Sequence, residues 1–314
     1  MNTAIRDFDD WQNMLTAVCG YFTFQPMQNK PFSGLINLGR FGSLDIAEIS
    51  GTIKQLKKTE RDVGQSDEAN LFLILGVEGE AVLEQGGQSS RLGVGDICLI
   101  DSRRPSEFRY KNGFKQISVH LPEMQTREIF RNRKIPLAQT IHHKDNDMLR
   151  ASILNMYGHA RVGEEADYSA QSKTEELKQN DECFKLLWQS IFSDDPVMDT
   201  DILDVQQCRR VNMFIEENLH DADLDLDRIA SGCGISKRSL YRLFEQHGLS
   251  PYNWIRMRRL EIARNELMVA TGAGKCTDVA FKYGFNSSAH FSRVFKNKFG
   301  LSPRQFQNHF KFDS

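Results

Sequence analysis

Proline is scarce, at eight of 314 residues, and glycine at 22 shows no periodic use. That excludes a collagen-like or proline-rich chain, and 40% hydrophobic content excludes a largely disordered one. The six cysteines, Cys19, Cys98, Cys183, Cys208, Cys233 and Cys276, stand singly, and Cys-x-x-Cys occurs nowhere. A cysteine metal clip and a dithiol redox centre are therefore absent, and reduced thiols in a cytoplasmic protein are expected. The longest apolar run, Leu71–Val77, falls far short of the ~20 residues that a membrane span requires. Met1–Trp11 is acidic and lacks the apolar centre of a signal peptide. No histidine precedes His120. A catalytic metal inside a small β-barrel needs a His-x-His pair with a carboxylate and a further histidine, so no metal site, no cofactor and no catalytic residue are expected.

What is present is an uneven distribution of charge. The net charge of −2 hides two opposed parts. Residues 205–314 hold 17 Lys and Arg against 11 Asp and Glu, whereas the preceding residues hold 23 against 31. A chain of this length exceeds one comfortable core, so two domains are expected, the second basic enough to face nucleic acid.

From about Leu35 to Pro122 the pattern is that of short strands. Leu71–Leu75, Ala81–Leu83, Asp96–Asp101, Phe108–Lys111 and Phe114–Leu121 are separated by Gly79, Gly86-Gly87, Gly93-Val94-Gly95 and Asn112-Gly113. Asn112-Gly113 is the strongest hairpin signal, because both residues accept the positive φ of a type I′ turn. Many short strands with glycine turns predict a sandwich or barrel, whose inward residues would include Phe72, Ile74, Val82, Leu99, Phe108 and Ile117. His142-His143 lies outside the strands and reads as a solvated helix start.

Residues 123–192 read as helical, with Leu177, Phe184, Leu187, Trp188 and Ile191 at helical spacing, either a lid or a dimerisation face. Ser193-Asp194-Asp195-Pro196 and the aspartates beyond it predict an acidic linker over 193–204. The remainder, 205–314, is helical throughout. Cys208, Val211, Ile215 and Leu219 share one face. Asp225 is an N-cap for a helix burying Leu226, Ile229 and Ala230, and Gly232-Cys233-Gly234 ends it. Ser236 caps the next helix, which buries Leu240, Leu243 and Phe244 and turns Lys237, Arg238, Tyr241 and Arg242 outward. This is helix-turn-helix spacing.

The same phrase returns about 50 residues later. Val279-Ala280, Gly284-Phe285, Phe291-Ser292-Arg293-Val294-Phe295 and Gly300-Leu301-Ser302-Pro303 echo Ile229-Ala230, Gly234-Ile235, Leu240-Tyr241-Arg242-Leu243-Phe244 and Gly248-Leu249-Ser250-Pro251. Between the copies, Ser250–Met268 reads as one helix with Leu260, Ala263 and Leu267 buried. Two recognition helices about one DNA turn apart, roughly 34 Å, would let one chain read successive major grooves.

Gly234 through Phe244, and Gly284-Phe285 through Lys296 with Phe299–Pro303, resemble the signature of the AraC/XylS transcription factors, over essentially all of 205–310. The resemblance implies a seven-helix DNA-binding domain, double-stranded promoter DNA and RNA polymerase as partners, and an activating role. Carried over by position, Arg238, Tyr241 and Arg242 in the first recognition helix, and Ser288, Ala289, His290 and Arg293 in the second, would face bases. Ser236, Lys237, Ser287 and Lys296 would face phosphate. One departure is Cys276, after Thr271–Gly274, where the family often has an aliphatic residue; it is expected to loosen the second unit's docking. Residues 8–122 are similar to the family's effector-binding domains, through Trp11, Val18-Cys19-Gly20, Glu84-Gln85, Gly95-Asp96-Ile97, Asp101, Arg104-Pro105, Lys115–Ser118 and Leu121-Pro122. Within the family they are most similar to activators of aromatic-amine catabolism.

The fold class expected is thus α+β. A cupin-like β-barrel sensor occupies 1–122, a helical dimerisation segment 123–192 and a linker 193–204. An all-α domain with two helix-turn-helix motifs fills 205–314. The function expected is a homodimeric, ligand-responsive regulator that takes a small aromatic effector. The alternatives are a cupin-type metalloenzyme fused to a DNA-binding module, and a regulator without an effector. Nothing in the sequence identifies the effector-binding residues.

Overall fold

The computed structural model describes residues 5–28, 30–41, 44–65, 70–122, 126, 135–142, 146–162, 199–246, 250–269 and 275–310. The chain divides into two compact units, with residues 1–122 in the first and 196–314 in the second.

The first unit opens with α1 (Phe8–Cys19), capped by the Asp7 carboxylate, which accepts from Asp10 N at 2.9 Å. Its inner face buries Trp11, Met14, Leu15 and Val18. Nine strands follow: β1 (Thr23–Pro26), β2 (Gly34–Phe41), β3 (Leu44–Gly51), β4 (Ile53–Lys58), β5 (Asn70–Gln85), β6 (Gln88–Leu92), β7 (Ile97–Asp101), β8 (Ser106–Pro122) and β9 (Thr140–Ile141), with the short α2 (Glu60–Gly64) before β5. These strands pair antiparallel, and the central path runs β1-β4-β8-β5-β7-β9. Off this path β3 joins β2 to β8, and β6 pairs with β5.

Three expectations are corrected here. First, Asn112-Gly113 is not a hairpin turn, because β8 runs through it as one 17-residue strand. Gly113 does adopt φ +93°. Its carbonyl lies 2.5 Å from where a Cβ on Gly79 would sit, and the β5–β8 register slips between Gly79 and Ala81. The positive φ is therefore spent on a bulge that bends two long paired strands. A tight hairpin turn stands at Gly86-Gly87 instead, at φ +60° and +78°, between β5 and β6. Second, the sheet is open among the described residues rather than a closed barrel. Strands β5 and β8 bend across the middle, and α1 lays Leu15 and Cys19 over the interior that further strand pairing would have sealed. Third, the segment read as wholly helical contains a strand. Thr140 and Ile141 pair with Cys98 and Ile97, Leu137 bridges Leu99, and α3 (Asp147–Val162) begins only afterwards. Strand β7 offered an unpaired edge, and a β-branched pair from the following segment fills it. The apolar positions Leu177–Ile191 lie outside the described residues.

Helix α3 packs on β2 and β3 through Leu149, Ile153, Met156 and Ala160. Beneath it, buried Glu48 accepts from Asn37 Nδ2 at 2.7 Å and from the Tyr157 hydroxyl, and pairs with Lys115 Nζ at 2.7 Å. Burial alone would raise this carboxyl. The bonds from Lys115, Tyr157 and Asn37 outweigh it and hold the group below its ordinary range.

The second unit contains seven described helices: α4 (Asp199–Asn218), α5 (Leu226–Gly232), α6 (Lys237–Gln246), α7 (Pro251–Val269), α8 (Lys275–Lys282), α9 (Ser288–Phe299) and α10 (Pro303–Phe310). Part of the linker expected over 193–204 is helical, because α4 starts at Asp199. Aspartates break a helix interior but suit its first turn, where they face the positive end of the dipole.

Candidate nucleic-acid interface

Each helix-turn-helix grows from a few local rules. In the first, Asp225 caps α5 by accepting from Arg228 N at 2.9 Å. Gly234, at φ +65°, turns the chain, and Ser236 Oγ accepts from Ser239 N at 3.1 Å to start α6. Leu226, Ile229, Ala230, Cys233, Leu240, Leu243 and Phe244 close one core with Cys208, Val211, Ile215 and Leu219 of α4 and Trp254 and Ile255 of α7. In the second, Ser287 caps α9 by accepting from His290 N at 3.3 Å, and Gly300 ends it at φ +77°. Its core is aromatic. Phe291, Phe295, Phe299 and Phe306 pack ring on ring, with neighbouring centroids 4.6–6.5 Å apart. Ser302 and Gln305 cap α10 reciprocally, Ser302 Oγ accepting from Gln305 N and Gln305 Oε1 from Ser302 N.

With those apolar faces buried, the remaining faces of α6 and α9 turn outward. Ser236, Lys237, Arg238, Tyr241 and Arg242 are exposed on the first, Tyr241 at 46%. Ser287, Ala289, His290, Arg293 and Lys296 are exposed on the second, and Ser288 is half-buried. Lys237 pairs with Asp227 at 2.5 Å, and that bond raises its pKa. The pair is exposed on both sides and screened by solvent, so it yields readily to a phosphate. The two faces differ in chemistry. The first offers two guanidinium groups and a phenol, the second small side chains around one imidazole and one guanidinium.

Two groups escaped sequence reasoning. Arg259 of α7 donates from Nε to Leu219 O at 3.0 Å, from Nη2 to Asp221 O at 2.5 Å and from Nη1 to Gly284 O at 3.4 Å. Arg258 and Glu261, three residues apart on the same helix, are buried together with Lys298 of α9. The available signal was the i, i+3 spacing of opposite charges beside a buried stripe. Cys276 is half-buried, and its thiol donates to Gln307 Oε1 of α10 at 3.6 Å.

In the first unit a cavity of about 20 Å³ is lined by Leu15, Cys19, Phe22, Ile49, Leu56, Phe72, Ile74, Ile100, Phe108, Phe114, Gln116 and Ser118. Phe72, Ile74 and Phe108 of the expected inward set line it. Leu99 and Ile117 are buried elsewhere, Val82 is half-buried, and none of the three lines it. The volume suits a water-sized molecule, so an aromatic ring enters only if the wall gives way. Behind Phe114, Tyr110 stacks at a centroid distance of 4.1 Å. Its buried hydroxyl has no hydrogen-bond partner among the described residues, and burial, then the neighbouring Cys19, raises its pKa. His120 Nε2 lies 3.9 Å from Cys19 Sγ, and His142 pairs with Asp96 at 3.4 Å. No group of three or more His, Cys, Asp or Glu that could hold a metal occurs among the described residues. Nor is any described helix long and apolar enough to cross a membrane.

Comparison with known proteins agrees with this geometry. Residues 11–170 match the AraC-binding-like domain and residues 229–309 a helix-turn-helix domain. The chain is 27% identical over 276 residues to the transcriptional activator NphR of a Rhodococcus species, covering 84% of this chain and 77% of that protein. It is 26% identical over 283 residues to XylDLEGF operon transcriptional activator 3 of Pseudomonas putida, covering 85% and 80%. To activator 1 of that operon it is 41% identical over 96 residues, about 30% of each chain.

Proposed function

Because the chain belongs to the AraC/XylS family of transcriptional regulators, we propose that it is a homodimeric activator, acting in the cytoplasm, of genes for aromatic amine and aldehyde catabolism. The protein is a DNA-binding transcriptional regulator, and its relatives are activators rather than enzymes.

The cavity is the observation that carries this proposal. Four phenylalanine rings face it, and its polar lining is limited to Cys19, Gln116 and Ser118. No carboxylate lines it to hold an ammonium, which favours a neutral aromatic such as an aldehyde over a charged amine. The unpartnered Tyr110 hydroxyl supplies a donor close by. The resemblance of residues 8–122 to activators of aromatic-amine catabolism supports the same effector class. Met148 and Leu154, exposed at 70% and 45% on α3, support dimerisation through that segment. On this reading α6 carries base contacts through Arg238, Tyr241 and Arg242, and α9 through Ser288, Ala289, His290 and Arg293. Ser236, Lys237, Ser287 and Lys296 hold phosphates, and RNA polymerase binds beside them. The effector shifts the DNA-binding arrangement only by its different affinity for two states.

Thermal-shift titration of the full chain with phenylethylamine and the matching aldehyde tests this. Stabilisation of about 2.7 kcal/mol is expected at 100 times the dissociation constant of the ligand that binds. If neither compound moves the midpoint or the affinity for DNA, the regulator has no effector of this class. If only the amine does, the charge reading of the cavity is wrong.

A further inference from the structure

The two reading heads are joined by a buried chain of charges. Glu216 of α4 accepts from Arg258 Nε of α7 at 2.5 Å. Arg258 Nη1 also donates to Glu261 Oε2, one turn along α7, and Glu261 Oε1 accepts from Lys298 Nζ of α9 at 2.9 Å. The side chains are exposed by 12%, 5%, 9% and 7% in that order. Glu261 is the central link, because one of its oxygens holds Arg258, which reaches back to α4, and the other holds Lys298 of α9. Arg259, the next residue of α7, fastens a second point. Its one guanidinium bonds Leu219 and Asp221 carbonyls beyond α4, and the Gly284 carbonyl in the turn before α9. Gly284, at φ +71°, would place a Cβ 2.8 Å from that guanidinium.

Stability alone does not account for such a chain, since well-packed apolar residues of similar volume serve stability at least as well. Apolar contacts, however, tolerate sliding and rolling, whereas a neutral run of two carboxylates and two cations has one satisfied register. We propose that Arg258, Arg259 and Glu261 act as positioning residues that fix α6 against α9, and so fix the spacing between the two DNA boxes the protein accepts. This rests on both recognition helices reading DNA.

The test is selection of duplexes from a random pool by the full chain, comparing wild type with Lys298→Met, Glu261→Gln and Lys298→Arg. Wild type and Lys298→Arg are expected to recover two boxes at one spacing. Lys298→Met and Glu261→Gln are expected to recover the same box sequences over three or more spacings. Affinity for the wild-type duplex should fall about tenfold or more, with affinity for a single-box duplex unchanged. Lys298→Met keeps the Arg258–Glu261 pair, so it is the variant to rely on if Glu261→Gln melts early. A Lys298→Met protein with wild-type melting and one unchanged spacing overturns the proposal, as does loss of single-box affinity. A wild-type pool with only one box overturns the two-headed reading itself.

Discussion

At the scale of single residues, the outward faces of α6 and α9 divide, on the proposed reading, into groups that read bases and groups that hold phosphates. Replacing Arg242 or Arg293 by alanine should cost about 1–3 kcal/mol on the preferred duplex and relax preference at the base each contacts. Lys296→Ala should weaken all sequences alike and lower the salt slope by about one unit. Affinities for the preferred duplex and a random one across a salt series separate the two behaviours. Inside the first unit, Tyr110→Phe removes a buried hydroxyl with no partner among the described residues. It should raise the melting temperature of the free protein while abolishing stabilisation by an aromatic aldehyde. A variant whose aldehyde response equals that of wild type removes Tyr110 from the site. Gly34 shows the opposite sensitivity. A Cβ there would lie 2.5 Å from Trp11 Cδ1, and Trp11 is wholly buried with its Nε1 bonded to Ser50 O at 3.0 Å. Gly34→Ala should therefore cost about 1–3 kcal/mol, read by thermal unfolding.

At the scale of elements, helices were more legible than strands, and the reason is locality. The seven helices of the second unit carry their own signals, such as Asp225, Ser287 and Ser302-Pro303 as starts and Gly234, Gly284 and Gly300 as turns. These rules act within four residues of sequence. Strand pairing acts across the chain, so Asn112-Gly113, which satisfies a hairpin turn locally, is overruled by β5, which pairs with β8 along both sides of the bend. The same holds for β9, which exists because β7 had an edge to fill. The cavity was half legible. Alternation gave Phe72, Ile74 and Phe108, but the contribution of Leu15 and Cys19 depends on where α1 docks. Helix α3 adds a pH-dependent element. The Glu48 carboxyl is held below its ordinary value of 4.5, so its contribution is present above that pH and lost as the pH falls through the lower folded value. Acid unfolding of wild type should lose this contribution below about pH 4.5, and Glu48→Gln should show a flatter stability profile there. Equal profiles for the two would mean that Glu48 does not tie α3 to the sheet.

At the scale of the whole molecule, the charge asymmetry coincides with the division of labour. The basic third contains both helices proposed to read DNA, and the acidic part contains the sheet and its cavity. Because the second unit has its own cores around α4 and α7, a fragment of residues 199–314 should fold alone and show a helical circular dichroism spectrum. It should bind DNA without any effector, more weakly than a dimer spanning two sites. A fragment starting at 205 would cut into α4 and should be less stable. The central claim is that one chain reads two successive stretches of DNA, one with each helix. Base-by-base contact mapping on the duplex preferred by wild type, repeated with Arg242→Ala and with Arg293→Ala, tests it most directly. The account predicts two boxes about one helical turn apart, with Arg242→Ala erasing contacts in one and Arg293→Ala in the other. A single box, or two variants whose contact maps match wild type, would contradict it.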